Sequence, residues 1–193
     1  MATDQADALI LAAGLSSRMG SWKMMLPYRQ GTILDAAINN ALGFCSRVVL
    51  VTGYRGDELH QRYSGYAQIC LVANADYHQG MFSSIRCGVQ HIESQHFFLA
   101  LGDMPCISSS IYAQLWQQRG DYCLIPRFAG GKGHPVLLPQ RLIETVQRAT
   151  PEQNMKQIIQ SDEPRYLAVE NPAIHWDIDT PEQYRQLPQS VNA

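Results

Sequence analysis

Three cations set among small residues are the first part of this chain that could do chemistry. Ala8 to Pro27 reads ALILAAGLSSRMGSWKMMLP. An apolar strand leads into Ala12-Ala13-Gly14, then a polar turn with Ser16, Ser17 and Arg18, then Lys23. No Asp or Glu occurs between Ala8 and Leu34, whereas Arg18, Lys23 and Arg29 all fall in that window. Small residues let a backbone approach a ligand closely, and successive exposed N–H groups form a nest for anionic oxygens. With fixed cations added, the guest that fits is a phosphate chain. An ordinary strand–loop–helix crossing with a basic surface has the same composition, so the stretch alone leaves both readings open. It is not a GxxxxGK[ST] phosphate loop, because Gly20 and Lys23 are wrongly spaced. It is not a GxGxxG dinucleotide fingerprint either, which argues against an NAD enzyme.

Carboxylates are the second ingredient. Asp103 follows the apolar run His96–Leu101 in a Gly-Asp-Met-Pro turn, where a carboxylate can reach a ligand; a turn former or helix cap is the structural alternative. Asp177 and Asp179 stand two apart on a stretch read as extended, so their side chains are expected on opposite faces. Asp179 also precedes a Thr-Pro helix start and is expected to serve that cap, which favours Asp177 as the partner of Asp103. Converging over a phosphate loop, such carboxylates suit Mg2+, an ion that takes hard oxygens from one or two acids and from substrate phosphates. Lys23 and Arg18 would then hold the oxygens that gain charge, and no protein nucleophile is required. Gly80 and Ser84 open a helix and suit either a nucleobase or plain N-capping. His134, in Gly133-His134-Pro135, suits either contact with a second substrate or the start of a strand. Trp22, Trp116 and Trp176 read as packing.

The elements that must position these groups follow an α/β pattern, short apolar runs alternating with longer periodic segments. Strands are expected at Ala8–Ala12, Arg47–Val51, Gln68–Ala73, His96–Leu101 and Tyr122–Pro126, with His134–Leu138 an antiparallel addition. Short extended pieces are expected at Arg165–Val169 and His175–Ile178. Helices are expected at Ile33–Leu42, Asp57–Tyr63, Met81–His91 and Ser109–Arg119. Two Thr-Pro-Glu-Gln signals, at Thr150 and Thr180, announce helices at Asn154–Gln160 and Glu182–Leu187. Ala129 to Gly133 reads as a flexible surface loop, and the residues from Pro188 as frayed. The expected whole is one domain over residues 1–193, with an ordered core from about residue 7 to 187.

The composition fits an ordinary water-soluble enzyme. Of 193 residues, 46% are hydrophobic and 17% charged, and the net charge is −2. That near balance argues against a nucleic-acid or membrane-surface binder. No apolar run approaches a membrane span, and MATDQAD lacks the order of a signal peptide. The five widely spaced cysteines contain no CxxC and read as core thiols of a cytoplasmic protein, Cys106 being the one near a candidate site.

With those residues in view, the chain resembles the MobA-like nucleotidyltransferases. AAGLSSRMGSWK (Ala12 to Lys23) is similar to their AAGxSxRMGxxK signature. GDMP at Gly102–Pro105, GHP at Gly133–Pro135 and DIDTPEQY at Asp177–Tyr184 match later motifs in order. Within the superfamily it looks most like the molybdenum cofactor cytidylyltransferases. The resemblance implies a three-layer, Rossmann-like fold with a mostly parallel, partly mixed sheet. It implies transfer of a cytidylyl group from CTP to the phosphate of molybdenum cofactor (molybdopterin), with release of pyrophosphate and transient contact with a molybdenum hydroxylase. Carried over, Ala12, Ala13, Gly14, Arg18 and Lys23 would hold the nucleotide, and Gly80 and Ser84 would lie near the base. Asp103 would bind magnesium with Asp177 or Asp179. Ala13 favours CTP, since guanylyltransferase members usually carry Leu-Ala-Gly-Gly. Met104, where many cytidylyltransferases have Gln, leaves room for another phosphorylated acceptor such as a sugar phosphate. A non-catalytic, cofactor-holding protein is the rival of a different class, but it would need no such carboxylates.

Overall fold

The computed structural model describes residues 6–150 and 152–188. An eight-stranded sheet runs in the order β10-β7-β9-β6-β1-β4-β5, with β8 paired to β7. Its parallel part comprises β1 (Asp7–Ala12), β4 (Arg47–Thr52), β5 (Ile69–Ala73) and β6 (His96–Leu101). β7 (Leu124–Phe128) runs parallel to the edge strand β10 (Arg165–Ala168). β9 (Val136–Pro139) is antiparallel to both β6 and β7, so the sheet is mixed. A small hairpin, β2 (Pro27–Tyr28) and β3 (Gly31–Thr32), stands apart.

Side chains alternate along β1 to make the two cores. Ala8, Ile10 and Ala12 face α1 (Ile33–Leu42), α2 (Gly56–Tyr63) and α4 (Ser109–Gln117). Leu9 and Leu11 face α3 (Met81–Val89), α5 (Leu142–Arg148) and α6 (Met155–Ser161). This is a helix–sheet–helix sandwich. α3 lies tight against the sheet because Gly88 has no side chain: a Cβ there would sit 2.3 Å from a methyl of Leu9 and 2.6 Å from one of Val51.

Helix starts follow their caps. Thr32 and Asp35 complete a capping box on α1, as do Thr180 and Gln183 on α7 (Pro181–Arg185). Four details of the sequence reading are corrected. α6 is capped by Asn154 with Gln157 rather than from Thr150, whose neighbour Pro151 lies outside the described residues. α5 was not expected, although Leu142 and Val146 are one turn apart and buried. The glycine-rich loop Ala129–Gly133 is a hairpin: β8 (Gly131–Lys132) pairs with β7, and Gly133 is buried against Ile174. His175 closes a short 3-10 turn, Pro172–His175, rather than opening a strand. The expected fraying from Pro188 falls almost wholly outside the described residues.

The chain winds outward from β1 to β4 and β5, then returns through α3 to β6 on the other side of β1. The strand order therefore reverses between β1 and β6. A crevice beyond the carboxyl ends of the strands at such a reversal is where open α/β sheets take ligands.

Candidate active site

A cleft of about 400 Å³ lies at that reversal, floored by Leu11 and Leu101 at the ends of β1 and β6. One wall is the loop after β1. The amide of Tyr54 donates to the Ala13 carbonyl (3.2 Å), and the Lys23 amide donates to Ser16 Oγ (3.2 Å), which curls the loop back on itself. Gly14 lines the cleft with open space where a Cβ would stand, so its backbone is bare toward a guest. The opposite wall is the start of α3. Gly80 takes φ +99°, a conformation costly for any side chain, and turns the chain from a 3-10 turn into the helix.

The charged floor is built from three distant segments. The Gly102 amide donates to the Leu11 carbonyl (2.9 Å), locking the end of β6 to β1 and placing Asp103 at the mouth. The Ile178 amide donates to the Asp103 carbonyl (3.0 Å), fastening the segment that carries Asp177 and Asp179 beside it. Lys23 Nζ then bridges Asp103 Oδ2 (2.6 Å) and Asp179 Oδ1 (2.7 Å), and Arg18 Nη2 reaches Asp179 Oδ2 (2.5 Å). Burial pulls the Lys23 ammonium toward neutrality, but the charges and hydrogen bonds of Asp103 and Asp179 outweigh it, and its pKa is raised. Burial likewise pushes Asp179 up, and Lys23 and Arg18 more than reverse that, leaving it low. Asp177 is held above the usual carboxylate range by burial, with the negative charges of Asp179 and Asp103 adding to it. Lys23 thus stands as an internal counter-ion among acids.

Of the residues singled out in the sequence, the structure gathers Ala13, Gly14, Arg18, Lys23, Gly80, Ser84, Asp103, Asp177 and Asp179 around this one cleft. Two it does not. Ala12 is fully buried in β1. His134 is not among the cleft-lining residues; its Nδ1 lies 3.3 Å from the Leu99 carbonyl, and burial holds its imidazole pKa low. The expectation that Asp177 and Asp179 face apart is also wrong. Residues 176–179 form no strand, so the period-two rule does not apply, and both line the cleft. Nor is the Asp179 side chain spent on the helix start: Thr180 caps α7, and Asp179 only donates its amide to Gln183 Oε1. Trp22 packs in the core, against Tyr54 and under the Arg55 guanidinium. Sequence reasoning missed Tyr77, His78 and Met81 on the α3 wall, and Asn74 behind it. An acid-free nest announces itself in a sequence; a wall assembled from an unremarkable loop does not.

Among the described residues no three His, Cys, Asp or Glu side chains form a ready-made metal cage. The acids nevertheless suit a hard divalent ion that draws its other ligands from phosphate. All are oxygen donors, and Asp103 Oδ1 is buried without a hydrogen-bond partner. No helix among the described residues is long and apolar enough to cross a membrane.

Known proteins match this arrangement. The family model for the MobA-like NTP transferase domain matches residues 8–166. The chain is 46% identical over 179 residues to the molybdenum cofactor cytidylyltransferase of Escherichia coli K12, covering 92% of this chain and 93% of that one. It is 20% identical over 195 residues to a probable molybdenum cofactor guanylyltransferase of Bacillus mycoides, covering 95% and 96%. The Rv0371c protein of Mycobacterium tuberculosis shares the fold at a TM-score of 0.82, with 24% identity over 97% of this chain and 100% of that one. A structure of the Mycobacterium tuberculosis protein in complex with manganese superposes at 0.77, with 23% identity over 96% and 98%. The chain belongs to the MobA-like nucleotidyltransferase family, and it is a nucleotidyltransferase.

Proposed function

We propose that the protein transfers the cytidylyl group of CTP to the phosphate of molybdenum cofactor, the molybdopterin type, giving the cytosine dinucleotide form and pyrophosphate. The observation that carries the substrates is the 46% identity to the Escherichia coli cytidylyltransferase over nearly the full length of both chains. The cleft supports the class of reaction. Its glycine loop offers bare backbone to a triphosphate, and Arg18 and Lys23 are placed to follow the phosphate oxygens as charge moves onto the leaving pyrophosphate. In the free protein those cations are held by Asp179 and Asp103, so a triphosphate competes with carboxylates for them. Asp103, with Asp179 or Asp177, would hold Mg2+, which polarises the α-phosphate when bound. The attacking oxygen belongs to the acceptor's phosphate, so this chain's residues orient and neutralise rather than attack.

The test is product formation with Mg2+, molybdenum cofactor and each nucleoside triphosphate in turn, followed by mass spectrometry. The cytosine dinucleotide and pyrophosphate are expected with CTP. Product with GTP alone would sink the base assignment. Pyrophosphate release only when a sugar phosphate replaces the cofactor would sink the acceptor.

A further inference from the structure

Behind the α3 wall of the cleft sits a buried amide that the chemistry above does not use. Asn74 follows β5, is 6% exposed, and is tied to the end of β4 by its own N–H, which donates to the Thr52 carbonyl (2.9 Å). Its Oδ1 accepts the amide of Asp76 (3.0 Å). That bond fixes which end of the side-chain amide points where, so its NH2 group must face α3. There it donates to Ser83 Oγ (2.9 Å) and to Ser84 Oγ (3.0 Å), and both of its hydrogens are spent.

The two serines then differ. Ser83 passes its own hydrogen back to the protein, with the carbonyls of Asp76 (3.0 Å) and Gly80 (2.8 Å) as acceptors. A helical serine such as Ser84 ordinarily returns its hydrogen to the carbonyl four residues back. For Ser84 that carbonyl belongs to Gly80, already engaged by the hydroxyl and the amide of Ser83. Ser84 Oγ, 3% exposed at the back of the cleft, makes no hydrogen bond as donor to any described residue. Its hydrogen is left for a guest.

We propose that Asn74 is the positioning residue that sets base specificity, by holding the Ser84 hydroxyl as a hydrogen-bond donor into the cleft. This rests on the CTP reading above. The pairing edge of cytosine presents two adjacent acceptors, N3 and O2, whereas that of guanine presents two donors, N1–H and the N2 amino group. A fixed donor accepts the first and leaves the second unpaired, which is how a polar site rejects a near relative of its ligand. Replacing Asn74 by Asp keeps the shape but turns both contacts round. The carboxylate accepts from Ser84, whose lone pairs are then what the base meets.

The experiment is equilibrium binding of Mg·CTP and Mg·GTP, without acceptor, to the wild type, Asn74→Asp and Ser84→Ala. The readout is the ratio of the two affinities, in which general weakening or added negative charge cancels. Wild type should favour CTP. Asn74→Asp should cut that preference about tenfold or more, and Ser84→Ala about two- to tenfold, the range for one uncharged hydrogen bond. Binding of inorganic tripolyphosphate reports whether each variant keeps its fold and phosphate loop; if Asn74→Asp does not, Ser84→Ala decides alone. An unchanged CTP-to-GTP ratio in a folded variant overturns the role of Asn74. A wild type that does not favour CTP overturns instead the CTP reading on which that role rests.

Discussion

The two ends of the central strands treat buried carboxylates in opposite ways. At the amino ends, Asp7 opens β1 with its side chain 5% exposed and accepts four hydrogen bonds. Two come from Arg47, the first residue of the neighbouring β4 (3.1 and 3.0 Å), and two from the amides of Glu93 and Ser94 (2.7 and 3.2 Å). Arg47 is completed by Glu93 and the His91 carbonyl. At the carboxyl ends, Asp103 pairs one oxygen with Lys23 and leaves the other buried and unpartnered. The residues are of one kind and the sheet is the same. What differs is completion: a closed network holds strands together, whereas an incomplete one, beside bare backbone, is prepared for a guest.

Substitutions at the two ends should therefore fail differently. The largest expected effect is on turnover: Asp103→Asn should lower kcat by about 10³-fold, and Lys23→Met by about 10²–10³-fold, the scale for removing a group that meets charge developing in the reaction. Neither should lower the melting temperature as much as the change at Asp7 does, and steady-state kinetics beside a thermal melt checks both. Near-normal turnover in Asp103→Asn would remove it from the site.

Asp7→Asn should leave the nucleotide affinities alone and cost about 2–3 kcal/mol of stability. That is less than the about 3–5 kcal/mol of a fully buried broken pair, because Arg47 keeps some access to water. The effect should depend on pH. Burial pushes the Asp7 carboxyl up, but Arg47 and the two amides outweigh it and hold its pKa below the ordinary 3.8. A depressed folded pKa contributes stability that is present above the unfolded value and lost as pH falls through the folded one. The wild type should thus lead Asp7→Asn at neutral pH, and the gap should close below about pH 4. Urea unfolding across that range reads it, and a gap that widened toward acid would contradict the sign.

How much of this was legible in the sequence depends on how local each signal is. The central strands declared themselves through runs such as Val48 to Val51, and α1 through Thr32 and Asp35, because neighbours along the chain carry those signals. The antiparallel β9 was readable as an apolar run after a turn. The pairing of Gly131 and Lys132 with β7 was not, since glycines spell flexibility until a partner strand is known. In the site, the acid-free loop and Asp103 stood out, whereas Asp177 and Asp179 were assigned faces from a strand that does not form. Asn74 gave no signal at all. Its environment comes from β4, the turn at Asp76 and α3, brought together only by the fold.

The contrast between the two ends can be tested without any substitution, by hydrogen exchange with and without Mg·CTP. The account predicts slowed exchange in residues 13–24, at the start of α3 around residues 80–84, and in residues 102–103 and 177–180, with residues 44–47 and 91–95 unchanged. Protection centred on Arg47 and residues 91–95, with the carboxyl-end loops unaffected, would contradict it.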